Sequence, residues 1–379
     1  MTFLKNEIDL QISNLYDDGK YLWFTAYTFG ALYKMNKEVM HPEFVAYFEQ
    51  EKMTEIRLYS DIISWNEFLI FTPLRAKKIA IFNKLTENIS YIEIDIPEND
   101  CIKGYSGWNY YSAQLVGDCI YFFPHQRKCI LRLDLLSQTI EGISEWTNDI
   151  LTSYSLKRPR LYSKTRLIGN KVFAPISGTN ILQIIDLQNK KTKIIETQDK
   201  EACYCDSFVI RDSVYLSPLE GAKIACLNIK TGKQDFFPVH EANPPHIQYI
   251  GILRHNNKLL FIPQYHGNIT FMDIDTKIIS DTNNNELEDK LLYFNDAFMD
   301  ESKYMCFTQE EKEIFMYCNH KGALIKIGCE EAHTYKIKTI LSEDVKKKLM
   351  LLKIESGDIL REGEIYNLNN YLEYIDTRE

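Results

Sequence analysis

Apolar and polar positions alternate in short runs along most of this chain, and one stretch displays the unit clearly. From Tyr204 to Asn228 it reads YCDSFVIRDSVYLSPLEGAKIACLN. Phe208-Val209-Ile210 and Val214-Tyr215-Leu216 are β-branched and aromatic, the composition of strands. Arg211-Asp212 between them predicts a two-residue hairpin loop. Pro218 has no N–H to give to a ladder, which suits a strand end. Gly221 lets the chain turn into a third strand over 223–227, which Asn228 closes.

The unit recurs. With Pro218 as anchor, an apolar residue (Ile224) follows after six positions and an Asx residue (Asn228) after ten. Pro73, Pro124, Pro175 and Pro263 head matching stretches that end in Asn83, Asp134, Asp186 and Asp273, with one residue added after Pro175. Ala26 and Cys318 head two weaker copies. The anchors are spaced by 47, 51, 51, 43, 45 and 55 residues, which suits four-stranded units. Fourteen residues before the anchor stand Tyr59, Tyr110, Tyr204, Tyr249 and Tyr304, with Ile12 and Leu161 (Tyr162 beside it) in the other copies. The repeated Asx residues are expected to start turns.

One such unit buries too little alone. Stacked and closed into a ring, the units share a continuous core and leave only short edges. The expected fold is therefore all-β: a seven-bladed β-propeller of four-stranded antiparallel blades over 1–340, with a short helical C-terminal extension over 341–379 packed on it. Blade one is expected to run from Ile8 to about Tyr47 and blade seven to end near Lys338, with little strand exchange between them. In the extension, Ser342 is placed to cap a helix with Glu343 and Asp344 in its first turn. Ile365, Leu368, Leu372 and Ile375 share one face of a second helix.

Blade one contains LYDDGKYLWFTAYTFGALYKMNK: a D-x-G turn, Leu22-Trp23-Phe24-Thr25, then a return strand. Lys230-Thr231-Gly232 ends the third strand of blade five. In these elements the chain resembles the streptogramin-lyase-like and regulator-type β-propeller repeats. The resemblance runs through the repeats and implies the propeller architecture. In those lyases a His and a Glu near the top of late blades do the chemistry. Here His246 and His255 lack the D-G-x-x-W-F-T surroundings, so the resemblance does not extend to that activity.

The formal net charge is −9, which argues against a broad nucleic-acid surface. The N-terminus has no basic segment followed by an apolar run. No apolar run reaches the roughly 18 residues of a membrane helix. The expectation is a cytoplasmic, monomeric protein with neither membrane nor nucleic acid as partner. The nine cysteines include no C-x-x-C, and Cys203-x-Cys205 has no matching pair. No metal and no cofactor are expected, and phosphate-loop, dinucleotide, G-x-S-x-G and H-E-x-x-H motifs are absent.

In a propeller blade, the loop between the second and third strands shares a face with the connection into the next blade. The longer connections, 95–109, 141–160 and 280–303, fall on that face, the second with a helical turn near 146–151. Loops on a rigid scaffold concentrate binding groups. The candidate ligand-binding residues are Tyr59, Asp61, Arg75, Tyr110, Arg127, Tyr204, Asp206, Tyr249, Tyr265 and Tyr304, with Asn14 and Ser112 near the channel at the offset of Asp61. The first expectation is a binding or scaffold protein that recognises a protein, peptide or small-molecule ligand on that long-loop face. The alternative is a lyase- or hydrolase-type enzyme using His125, His266 or His320 as base with Glu220.

Overall fold

In a computed structural model the repeats become seven four-stranded antiparallel sheets, each with its strands in chain order. They form a seven-bladed β-propeller. The structure describes residues 7–95, 97, 100–105, 107–156, 160–221, 223–239, 249–264, 269–281, 304–310, 313–319, 322–328 and 332–355. His246, Tyr265, His266, His320 and the face over 365–375 lie outside the described residues, as do the side chains of Glu220 and Tyr304.

The repeat register is a strand register. The residue at the tyrosine position opens each inner strand and pairs with the anchor that ends the second: Tyr59 with Pro73, Tyr110 with Pro124, Tyr204 with Pro218, Tyr249 with Pro263, Tyr304 with Cys318. Isolated bridges Ile12–Ala26 and Tyr162–Ile176 do the same in blades one and four. Blade four is thus displaced by one residue from the sequence reading: Tyr162, not Leu161, faces the anchor, and the anchor is Ile176, not Pro175.

Local chemistry explains the hairpins. Arg211-Asp212 forms a two-residue loop between Ile210 and Ser213, and Arg211 has φ 54°, on the left-handed side that these turns require. The third strands of blades one to six end in Asx turns; Asn228 Oδ1 accepts from the N–H groups of Lys230 and Thr231 at 3.1 and 2.8 Å. Four residues after the Asx the chain turns left-handed, at Gly232 in blade five but at Gln138 in blade three and Lys277 in blade six.

Seven hydrophobic clusters fill the interfaces between blades, one per interface. Helix α1 (Glu145–Ser153), longer than the single turn expected, buries Trp146 and Ile150 in the cluster between blades three and four. Helix α2 (Glu343–Glu355) places Leu349 in the cluster between blades seven and one, and Ser342 Oγ accepts from Val345 N–H at 3.3 Å as its cap. Among the described residues no helix is long and apolar enough to cross a membrane.

Blade one differs from its expected extent. Its sheet begins at Tyr16, and Glu7–Asp9 instead pairs antiparallel with Lys338–Ile340 beyond blade seven. Among the described residues no strand is exchanged between blades; this added two-stranded ladder joins the ends of the ring.

Candidate functional site

A β-bulge decides what faces the axis. In blades two, three, five, six and seven the inner-strand register slips between the tyrosine position and the residue two further on. A bulge re-aims the side chains that follow it. Tyr59, Tyr110, Tyr204 and Tyr249 are fully buried in the interblade clusters, not on the cavity lining. Tyr59 packs against Phe48 and Phe71, and the Tyr249 hydroxyl bonds Thr270 Oγ1 at 2.8 Å. The residue two further on reaches the axis. Around the ring this tier reads Asn14, Asp61, Ser112, Lys164, Asp206, Gly251 and Cys306.

These inner strands enclose a cavity of about 480 Å³, lined by Asn14, Asp61, Ser112, Lys164, Asp206 and Cys306 of that tier. Arg57, Tyr111, Arg166, Phe208, Arg254 and Phe307 also line it. The tier is stitched blade to blade. Asn14 Nδ2 donates to Tyr59 O at 3.0 Å, Ser60 Oγ to Tyr110 O at 3.1 Å, and Cys205 Sγ to Tyr249 O at 2.8 Å. Ser112 Oγ and Thr165 Oγ1 lie 3.0 Å apart.

The two carboxylates do the same work on the backbone. Asp61 accepts from its neighbour Ile62 N–H at 3.0 Å and, across to blade three, from Ala113 N–H at 3.3 Å. Asp206 accepts from Ser207 N–H at 2.8 Å and, across to blade six, from Ile252 N–H at 2.9 Å. Asp206 also pairs with the Arg166 guanidinium at 3.2 Å, with its side chain wholly buried. Arg166 donates as well to Ile252 O and lies over the Phe208 ring. Asp61 has no such cation in contact. Burial pushes its carboxyl up from 3.8 to about 6, against the N–H donors and the distant pull of Lys164.

Lys164 enters from blade four. Its ammonium rests 3.1 Å from the centre of the Phe307 ring and makes no ion pair with Asp61 or Asp206. Burial is the largest influence on it and brings its pKa down from 10.5 to about 8; Asp206 and Asp61 pull it up, while Arg166 pushes it down. Phe307 reaches across the axis because blade six offers a glycine there. A Cβ on Gly251 would stand 2.1 Å from Phe307 Cζ and 3.0 Å from Asp206 Oδ2.

Above the tier, toward the long-loop face, a second set of equivalent positions carries Arg57, Trp108 and Arg160 from blades two, three and four. The guanidinium carbons of Arg57, Arg160 and Arg75 lie 5.1, 5.7 and 5.6 Å from the Trp108 ring. Arg57 is also 5.9 Å from Tyr111, and its Nε is buried without a hydrogen-bond partner. Arg75 pairs with Glu55 at 2.9 Å. Arg127 is held by the 95–109 connection, donating to Asn109 Oδ1 at 2.9 Å and Tyr105 Oη at 3.2 Å. His125 lies beneath Trp108 and Tyr111. Its Nδ1 meets Tyr162 O at 2.7 Å, and burial pushes its pKa down to about 3. The imidazole is therefore neutral, with Nδ1 as the donor. Among the described residues no group of three His, Cys, Asp or Glu side chains is placed to hold a metal ion.

The structure thus brings Asp61 and Asp206 together on one cavity and keeps Tyr59, Tyr110, Tyr204 and Tyr249 out of it. Sequence reasoning missed Arg57, Lys164, Arg166 and Phe307. A column-by-column comparison of inner strands, with blade four shifted by one, would have exposed Lys164 at the position of Asp61.

No family model matches the chain, and no curated protein does. Among solved structures it is similar to a catalytically inactive variant of virginiamycin B lyase from Staphylococcus aureus with quinupristin: TM-score 0.60, 14% identity, covering 89% of this chain and 97% of that one. It is similar to the computationally designed Ika8 protein, with TM-score 0.55, 8% identity, and 87% and 88% covered. An extracellular domain of a hybrid two-component system from B. thetaiotaomicron gives TM-score 0.55 and 12% identity over 81% of this chain and 37% of that one. At these identities the shared property is the propeller fold, and the particular likeness to the lyase agrees with the repeat resemblance.

Proposed function

We propose that this propeller is a binding protein for a small anionic ligand, a carboxylate or phosphate compound, taken into the central cavity from the long-loop face. The observation that carries the reading is the charge of the cavity. A chain with net charge −9 lines one 480 Å³ space with Arg57, Lys164, Arg166 and Arg254 against two carboxylates. Only Arg166 among the four is neutralised by one of those carboxylates. Arg57, stacked on Trp108 and Tyr111, is preorganised to receive an anion at the mouth. A low-dielectric concave site strengthens such attraction well beyond its value in water.

Histidine-based lyase chemistry finds less support. His125 is sequestered and neutral, and the other candidate histidines and the Glu220 side chain lie outside the described residues. The test is calorimetry at low salt with oxalate and inorganic phosphate on wild type, Arg57→Ala and Lys164→Met. Loss of one charge-assisted contact should weaken binding by roughly tenfold to a hundredfold. Heats indistinguishable from buffer for both anions, or equal affinity in all three proteins, would sink the reading.

A further inference from the structure

We infer that Lys164 is a covalent site: its Nζ forms an imine with a small carbonyl compound that also bears a carboxylate, an aldehyde acid or 2-oxo acid held in the central cavity. The inference rests on the anion-binding reading above and names the ligand class for that cavity.

A lysine on a protein normally keeps its ammonium in water or against a carboxylate. Lys164 is half-buried and has no carboxylate in contact. Its stem descends into the cavity, its Nζ sits on the face of Phe307, and neither facing carboxylate forms an ion pair with it. The groups around it are Asp61 from blade two, Asp206 from blade five, Arg166 from its own strand and Cys306 from blade seven. Their charges compete, and burial shifts the group toward the free amine, which is the nucleophilic form. Asp61 supplies the complement: a carboxyl on the same cavity, held by two backbone N–H groups, that keeps its proton into the mildly acidic range. Arg57, on the lining of the same cavity, offers a guanidinium for the ligand carboxylate.

The chemistry needs no oxidant or reductant. The Lys164 lone pair attacks the carbonyl carbon and a C–N bond forms. The Asp61 carboxylate takes the protons from nitrogen and passes them to the oxygen, which leaves as water carrying both amine protons and returns Asp61 to its starting state. The product is an imine plus one water.

Glyoxylate with sodium cyanoborohydride reads the step, because reduction of the imine fixes a carboxymethyl group on the nitrogen that formed it. The full chain is labelled at about pH 6 to 10 and mapped by peptide mass spectrometry. Near pH 8 Lys164 should label roughly tenfold faster than exposed Lys230, since its amine fraction there is far larger than that of an ordinary lysine. Its rate should level off above that pH while theirs keeps rising. Glyoxylate should outpace neutral propionaldehyde at Lys164 alone. Lys164→Arg, checked for folding by thermal melting, should lose the fast site and keep the slow ones. Labelling of Lys164 at the rate of Lys230, or none, overturns the inference on wild type alone. Oxalate, which has no electrophilic carbonyl of this kind, separates the two readings. Oxalate binding without a fast Lys164 adduct removes the covalent step and leaves the anion site; the absence of both removes both.

Discussion

Blades two and five place an aspartate at the same point of the same bulged inner strand, and the two carboxylates have different chemistry. Each accepts one N–H from its own strand and one from the next blade. Asp206 adds the Arg166 guanidinium and is wholly buried; Asp61 faces the cavity with no cation in contact and has its pKa raised to about 6. The difference is not in the scaffold. It comes from the neighbouring blade, because blade four carries Arg166 within reach of one aspartate and Lys164 between the two. A ring of equivalent positions thus becomes an asymmetric site through substitutions in a single strand.

The contrast can be broken or sharpened by substitution. The largest effect should come from Arg166→Met, which leaves a buried carboxylate without its cation; urea unfolding should register a loss of about 3 kcal/mol. Equal losses in Lys164→Met would erase the distinction between a paired and an unpaired cation. Next, Gly251→Ala crowds Phe307 and Asp206 while leaving Asp61 untouched, and should lose about 2 kcal/mol by the same measurement. Adding Phe307→Leu should restore most of it.

Asp61→Asn should act in the opposite direction. The folded pKa lies above the unfolded one, so the protonated form is the one folding favours. That stability is complete below about pH 4 and is lost as pH rises through about 6. At pH 7 the asparagine variant should therefore gain about 1–2 kcal/mol, allowing for water in the cavity, and should lack the wild-type decline between those pH values. Asp206→Asn should lose stability at pH 7; the same sign for both would show the two aspartates to be interchangeable. The smallest effect serves as a control blind to the channel. Gln138→Gly relieves a left-handed residue in an outer turn and should gain about 0.5 kcal/mol in thermal denaturation.

The architecture was legible because its signals are local. Asx turns, two-residue loops and strand-ending prolines each act within a few residues of themselves, and seven repetitions reinforce them. The site was legible in part. Asp61 and Asp206 stood out as polar residues in apolar strands at one offset. The tyrosines were misleading because alternation alone puts Tyr59 and Asp61 on one side of the strand; the bulge at Ser60 separates them, and no residue type announces it. Lys164 was hidden by the choice of Pro175 as anchor. A proline looked like the repeat's marker, while the actual partner of Tyr162 is Ile176. Phe307 depends on a glycine in the preceding blade, a packing contact that no local signal in the sequence announces.

The ladder between Glu7–Asp9 and Lys338–Ile340 also sets an order of events. Each blade is a local meander that can condense as it leaves the ribosome, but the seam needs both ends. Tyr317 reaches Leu10 O across 307 residues of sequence, and closing a loop of that size costs about 5 kcal/mol in chain entropy. The first blade must wait, with one side of its core uncovered, until the seventh is made. The seam is therefore the last joint to form on synthesis, and the place where the ring would open first under tension or heat.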